Sequence, residues 1–304
     1  MAGNSLAVFT VLIILLTGQF TFASSCCGQS GGSFPVSYLK QKLSLNMALS
    51  RSESLGRVRA GSNQFVTFSD DKKLLKESLG FDAVYSLTDR SQMFTKASFF
   101  RNSYSSAVLN QQQTDLSDLV IGYTYEVLPE YTYSKWKPVV YLSTLLNLPT
   151  GRSVHDPNGL AEGADVTGYD QWGLGAGLTF RKVWFPFRAI VQLKSLALFR
   201  DDLSGVEVSN FWEHSAGLTL SYSVPNFYDV NLTSGLTWQS LQGRSVDKIR
   251  TADSEFVSFN FSIIKPLNDS FVLSVNYVDQ TLLGTPENSL LNRAFSTNIN
   301  YNFY

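Results

Sequence analysis

Few side chains in this 304-residue chain could perform covalent chemistry, because it holds only two histidines and two cysteines. His214 sits in Glu213-His214-Ser215 and His155 in Ser153-Val154-His155-Asp156. A hydrolase needs its serine and histidine within hydrogen-bond reach. On a strand, successive side chains point to opposite faces, so His214 and Ser215 diverge. A hydrolase is therefore the least favoured reading. No catalytic residue, metal site or cofactor is expected; His214 reads as an interfacial residue and His155 as a solvated loop residue. Cys26-Cys27 leaves three readings open: lipidation of Cys26, a vicinal disulfide or soft-metal pair, or a tail with no chemistry. Gly173-x-Gly175-x-Gly177 has strand spacing and no helix to hold a phosphate. Its meaning is space on one wall, which could admit a solute, the N-terminal segment or long side chains from opposite.

Charge offers a better functional signal than nucleophiles do. If the alternating segments are strands around a wet lumen, Lys137, Arg181, Arg188, Lys194 and Arg200 gather on the inward face of the fifth to seventh, with Asp82, Glu126 and Glu213 on others. Facing water, these groups would set a transverse field that selects solutes; paired with one another, they would fill the lumen.

The elements that must position them alternate with period two. Phe295, Thr297, Ile299, Tyr301 and Phe303 share one parity, with Ser296, Asn298, Asn300 and Asn302 on the other. This suits hydrocarbon on one face and water on the other. The pattern recurs about twelve times, starting with Leu39 to Ser52, where Leu43, Leu45, Met47 and Leu49 oppose Ser44, Asn46 and Ser50. Polar or turn-forming stretches separate the segments: roughly Ser54 to Lys73, Thr88 to Ser91, the QQQTD stretch, Leu128 to Glu130, Pro149 to Thr167, Trp184 to Pro186, Pro225-Asn226, Gln239 to Ser254, and Lys265 to Asp269. Long and short connections alternate, as in barrels with short periplasmic turns and long outer loops. The expected fold is all-β: an antiparallel transmembrane β-barrel of about 12 strands with periplasmic termini, spanning residues 39–304. A soluble all-β protein would also alternate. However, strands of about ten residues can cross a ~25 Å apolar band, and the composition of 44% hydrophobic, 16% charged and 13% aromatic residues suits a charge-poor belt with aromatic borders. A net charge of -1 argues against nucleic-acid binding.

Leu6 to Leu16 is an apolar core too short to span, followed by Ala23-Ser24-Ser25, which reads as a signal peptide over residues 1–25. Cleavage there would make Cys26 the new N-terminus, the basis for its candidate lipidation, and leave 26–38 as a periplasmic segment. No later apolar run reaches about twenty residues, so membrane residence requires a closed barrel.

The closing strand resembles that of bacterial outer-membrane barrels, which implies that Tyr301, Phe303 and Tyr304 form the signal read by the barrel-assembly machinery. The run VVYLSTLLNLPTGRS (Val139 to Ser153), followed by YDQWGLGAGLTF (Tyr169 to Phe180), resembles the outer-membrane family associated with the phenol meta-cleavage (MetA) pathway. There a strand ending in Leu-Pro-Thr-Gly precedes a glycine-containing strand. The resemblance implies an integral outer-membrane protein that helps small, often hydrophobic solutes across. The expectation is a passive or gated channel, with a non-transporting structural or surface-interaction barrel as the alternative. Outer-membrane lipid and lipopolysaccharide, the assembly machinery and a small solute are the expected partners.

Overall fold

The computed structural model describes residues 41–58, 64–69, 72–129, 134–153, 166–203, 205–225, 230–246, 249–284 and 286–304. The signal-peptide segment, Cys26, Cys27 and His155 lie outside these. The core is a closed, 12-stranded antiparallel barrel. Its strands are β1 (Leu43–Val58), β2 (Lys73–Thr88), β3 (Ser91–Ser105), β4 (Leu119–Leu128), β5 (Val139–Leu148), β6 (Gly173–Trp184), β7 (Phe187–Leu198), β8 (Phe211–Ser223), β9 (Asn231–Leu241), β10 (Ser254–Pro266), β11 (Phe271–Asp279) and β12 (Ser289–Phe303). Each pairs with its sequence neighbours. The seam is closed by β12 on β1, from Leu43 opposite Phe303 to Val58 opposite Ser289, with one bulge between Ser54 and Gly56. Closure leaves no sheet edge, the condition for a strand assembly in hydrocarbon.

The outward parity exposes large apolar side chains around the wall, among them Leu45, Met47, Phe81, Ile121, Leu142, Leu174, Leu193, Leu218, Leu236, Ile263 and Ile299. In water such a girdle would be an aggregation surface; in a bilayer it is the solvated face. Connections of two to ten residues lie at one end of the barrel and of nine to twenty-four at the other. Both barrel ends of the chain, Leu43 and Phe303, lie at the short-connection end.

Several element boundaries differ from the sequence expectation. β1 continues to Val58, and the short strand Phe65–Thr67 pairs with its end, where Ser54 to Lys73 reads as a polar segment. The QQQTD stretch is a strand, Asn110–Leu116, extending β3 beyond the wall. β5 begins at Val139, so Trp136 and Lys137 fall in the preceding connection. There Lys182 Nζ and the Trp184 indole both donate, at 2.6 Å, to the Ser134 and Lys135 carbonyls respectively. That segment lies over the outer parity of the wall, where Lys182 and Val140 are buried.

The inside has two unlike walls. A single register row runs inward from Ser44 through Val84, Phe94, Gly122, Leu145, Gly175, Leu196 and Glu213 to Leu241. Its apolar members form one buried cluster with Val120, Leu198, Val208 and Phe211. Glycines make this row possible. The Phe94 ring lies where a Gly122 side chain would be, Leu145 leans to 2.9 Å of a would-be Gly175 Cβ, and Leu196 and Leu198 to 3.0 Å of a Gly173 one. The space left by the glycine strand is thus taken by neighbouring strands, not by residues from opposite. On β10 to β12 and β1 the mid-barrel inward residues are instead small and polar: Asn260, Ser274, Asn276, Ser296, Asn298, Asn300, Asn46 and Ser50, all half-buried. Nearer the long-connection end Ser52, Ser54, Ser258 and Asn292 are buried, and Val58, Phe256 and Leu291 form a second buried apolar cluster. Gly122→Ala should lower stability by about 1–3 kcal/mol through overpacking, and this penalty should shrink in a Phe94→Ala background, which itself loses about 3–5 kcal/mol from the emptied ring site. Urea titration of the refolded barrel in micelles checks both; additive losses would show that ring and glycine are uncoupled.

Candidate pore and its inserted segment

The connection between β5 and β6 enters the long-connection mouth of the barrel. Its residues Val166, Thr167 and Gln171 are buried, and Tyr169 packs on the lumenal cluster, edge-on to Phe211 at 5.7 Å. Leu148-Pro149-Thr150-Gly151 starts this segment, and the structure shows what the last two residues do locally. Thr150 Oγ1 donates to the Ser117 carbonyl at 2.7 Å and accepts from Leu119 N at 2.8 Å, joining the end of β5 to the start of β4. Gly151 N donates to Asp118 Oδ1 at 2.9 Å.

Asp118 is the hub. Its buried carboxylate also accepts from Tyr169 N at 2.7 Å and Asn147 Nδ2 at 3.1 Å. Three N–H donors compensate a carboxylate withdrawn from water, which would otherwise be costly. Close approach explains the glycines: a Cβ on Gly151 would sit 2.8 Å from Asp118 Oδ1, and one on Gly168 would also strike the carboxylate. Further bonds fix the segment. Thr167 Oγ1 donates to Leu116 O at 2.7 Å, Asn147 Nδ2 to Gln171 O at 3.0 Å, and Lys76 Nζ to the Val166 carbonyl.

The far end of the inserted segment meets the barrel charges. Tyr169 Oη donates to Glu213 Oε2 and Lys194 Nζ to Glu213 Oε1, each at 2.6 Å. Glu213 is almost fully buried and Lys194 nearly so. This ion pair takes two of the predicted selectivity charges out of the field. Arg181 and Arg188 are inward and half-buried toward the short-connection end, Arg188 Nη2 lying 3.4 Å from Ser221 Oγ. Asp82 is inward on β2 and accepts from Asn46 Nδ2 at 3.1 Å. Glu126 has the inward parity of β4 and is half-buried. Two residues are not where alternation puts them. Lys137 is exposed in the β4–β5 connection, because the strand starts two residues later. Arg200 is exposed past the end of β7, its guanidinium 2.9 Å from Glu207. Neither lines the lumen. Asp118, Tyr169 and Lys76 complete the mouth and escape sequence reading, since two are in connections and the third makes its contact with one.

Above this mouth the strands Asp201–Leu203, Val206–Val208, Ser245–Val246 and Ile249–Arg250 form a small separate sheet. Val208 reaches fully buried into the lumenal cluster, and Arg244 lies 4.6 Å from the Phe211 ring centroid. On the outside, His214 and Ser215 do face opposite ways, but His214 Nδ1 and Ser195 Oγ of the adjacent β7 are 3.0 Å apart. That serine is invisible to reasoning along the chain. At the barrel terminus, Tyr301 packs on Phe271 at 4.5 Å and on Phe303 at 4.3 Å, and Tyr304 Oη donates to the Asp269 carbonyl at 2.9 Å.

The fold and the apolar girdle together define an integral outer-membrane β-barrel. Comparison with solved structures agrees. The chain superposes on an outer-membrane channel from Pseudomonas putida F1 with a TM-score of 0.70 and 16% identity, over 90% of this chain and 100% of that one. It superposes on the translocator domain of the autotransporter NalP from Neisseria meningitidis with a TM-score of 0.50 and 10% identity, over 86% and 88% respectively. These likenesses concern the fold. No family model and no curated protein matches the chain by sequence.

Removing the hub should free the inserted segment without opening the barrel. Asp118→Ala strands three donors, each worth about 1–3 kcal/mol when left unsatisfied, and should speed proteolytic cutting within 149–172 while heat-modifiable migration persists. Unchanged cutting would count against the hub. Glu213→Ala leaves Lys194 buried and uncompensated, so a loss of about 3–5 kcal/mol is expected. A Glu213→Leu, Lys194→Met double variant should lose less, read by the same urea titration.

Proposed function

We propose that the protein is a gated outer-membrane channel for small solutes, its path following the polar wall of β10 to β12 and β1. One observation supports this: the inserted segment and the larger apolar cluster occupy the β2 to β9 side, while at mid-barrel the opposite wall keeps half-buried Ser and Asn side chains, Asn46, Ser50, Asn276, Ser296, Asn298 and Asn300 among them. Side chains of that type can hydrogen-bond a passing solute or water. The segment held by Asp118 and Glu213 is the gate, narrowing the long-connection mouth. The apolar row beside the path makes partly hydrophobic solutes the better cargo. This accords with the resemblance, through Leu148-Pro149-Thr150-Gly151, to barrels of the phenol meta-cleavage family.

We read the chain as non-enzymatic. Ser195 and His214 lie mid-sheet with strands paired on both sides, so neighbouring backbone N–H groups are spent in the ladder and none is aimed at an oxyanion. The segment residues that fill the mouth favour a second reading, a closed structural barrel, and the same experiment separates the two. In planar bilayers the refolded protein should show discrete conductance steps, larger or more frequent in Asp118→Ala. Charge reversal of Arg181 and Arg188 to Glu should shift permeability toward cations. Silence from wild type and Asp118→Ala alike, both heat-modifiable, would favour the filled barrel.

A further inference from the structure

We infer that the outer surface of β1 to β3, with the seam strand β12, is a binding site for one phosphorylated saccharolipid of the outer leaflet, of the lipid A type. Two independent features meet there. The first is a charged row on an otherwise apolar girdle: Arg51, Glu77 and Arg101 are consecutive register partners on β1, β2 and β3. All three side chains are substantially exposed, and each guanidinium is 3.7 Å from the Glu77 carboxylate. The next row toward the membrane, Leu49, Leu79 and Phe99, is apolar, with Leu49 and Phe99 over half exposed. The change from hydrocarbon-facing to charged side chains thus occurs between adjacent rows, marking the headgroup level on the long-connection side.

The second feature is a groove of about 390 Å³ below that row, on the same strands. Its floor is made by the small side chains Ala83, Thr95 and Ala97, and its rims by Leu45, Phe81 and Tyr301. The groove lies four to six residues from Arg51 along β1. At about 3.3 Å per residue this is roughly 13–20 Å of strand, which a tilted strand descends within about half of a ~30 Å hydrocarbon core. A lipid whose phosphate meets the solvent-facing N–H groups of these guanidiniums, on the side away from Glu77, therefore places an acyl chain in the groove. Charge complementarity selects the headgroup. Arg51 and Arg101 outnumber Glu77, and guanidinium favours phosphate through paired N–H donors. The position at the long-connection end selects the outer leaflet, where phosphorylated saccharolipid is the abundant anionic lipid.

Native mass spectrometry of the full-length mature barrel, released from detergent micelles containing defined lipid A, tests this. Wild type should retain one diphosphorylated lipid A. Arg51→Glu with Arg101→Glu should retain about tenfold less, and Ala97→Trp, which fills the groove, should also weaken retention; heat-modifiable migration establishes that each variant is folded. Equal retention by both variants, or equal retention of dephosphorylated lipid A by wild type, would overturn the site. So would cross-links from a cysteine placed at Ala97 to a second copy of the chain, which would make the groove a protein interface. Stronger retention of a glycerophospholipid than of lipid A would also overturn the assignment.

Discussion

The hydrogen bond between backbone N–H and C=O governs this molecule, because in hydrocarbon no water is available to replace it. A sheet in that solvent must have no edge, and the ladder from Leu43–Phe303 to Val58–Ser289 removes the last one. Much of the architecture follows from that closure. Antiparallel neighbours place successive connections at alternate ends, and an even strand number brings both barrel ends of the chain to the same side. Period-two alternation is what a two-solvent sheet imposes on every strand. The Lys194–Glu213 ion pair, with Tyr169 on the same carboxylate, tolerates burial because its carboxylate oxygens are each separately engaged.

Closure does not dictate what fills the inside, and here the two halves of the wall diverge. On β3 to β8, glycine and bulky residue alternate between adjacent strands at the same level, so side chains lie across the neighbouring strand instead of projecting to the axis. On β10 to β12 and β1, small polar residues leave the wall low. The inserted segment settles against the apolar half, where Tyr169 gains burial and the Asp118 hub supplies anchoring. Asymmetric filling places any water path off-axis and beside a greasy surface, a different design from a ring of charges around a central hole.

The alternation of the chain made the fold legible, because parity is a local property and the girdle imposes it from strand to strand. The strand number and the side on which the termini lie follow from counting. Boundaries were less legible where strands run past the apolar girdle, as in Arg51 to Val58 and Asn110 to Leu116: there the outward positions are charged or polar (Arg51, Glu53) and the buried ones are serine and glycine (Ser52, Ser54, Gly56), so the hydropathy alternation fades although burial still alternates. Inward orientation could be read for Arg181, Arg188, Lys194, Asp82 and Glu213, but Lys137 and Arg200 show the limit of extending a parity beyond the last ladder residue. The meeting of Lys194 with Glu213, of Ser195 with His214, and of Asp118 with Gly151 and Tyr169 depends on register or on a connection's path. Neither is encoded within one strand.

The pairing of Phe94 with Gly122, and of Leu145, Leu196 and Leu198 with the glycines of β6, also bears on how this barrel can change over generations. A volume at one position is the complement of an absence on the next strand. An isolated gain of bulk at a glycine is therefore resisted, while a reciprocal exchange across the ladder preserves the wall. Homologues should drift in coupled doublets along the inner register row, and members that share little identity can keep the same lumen by shifting where each ring and each gap reside.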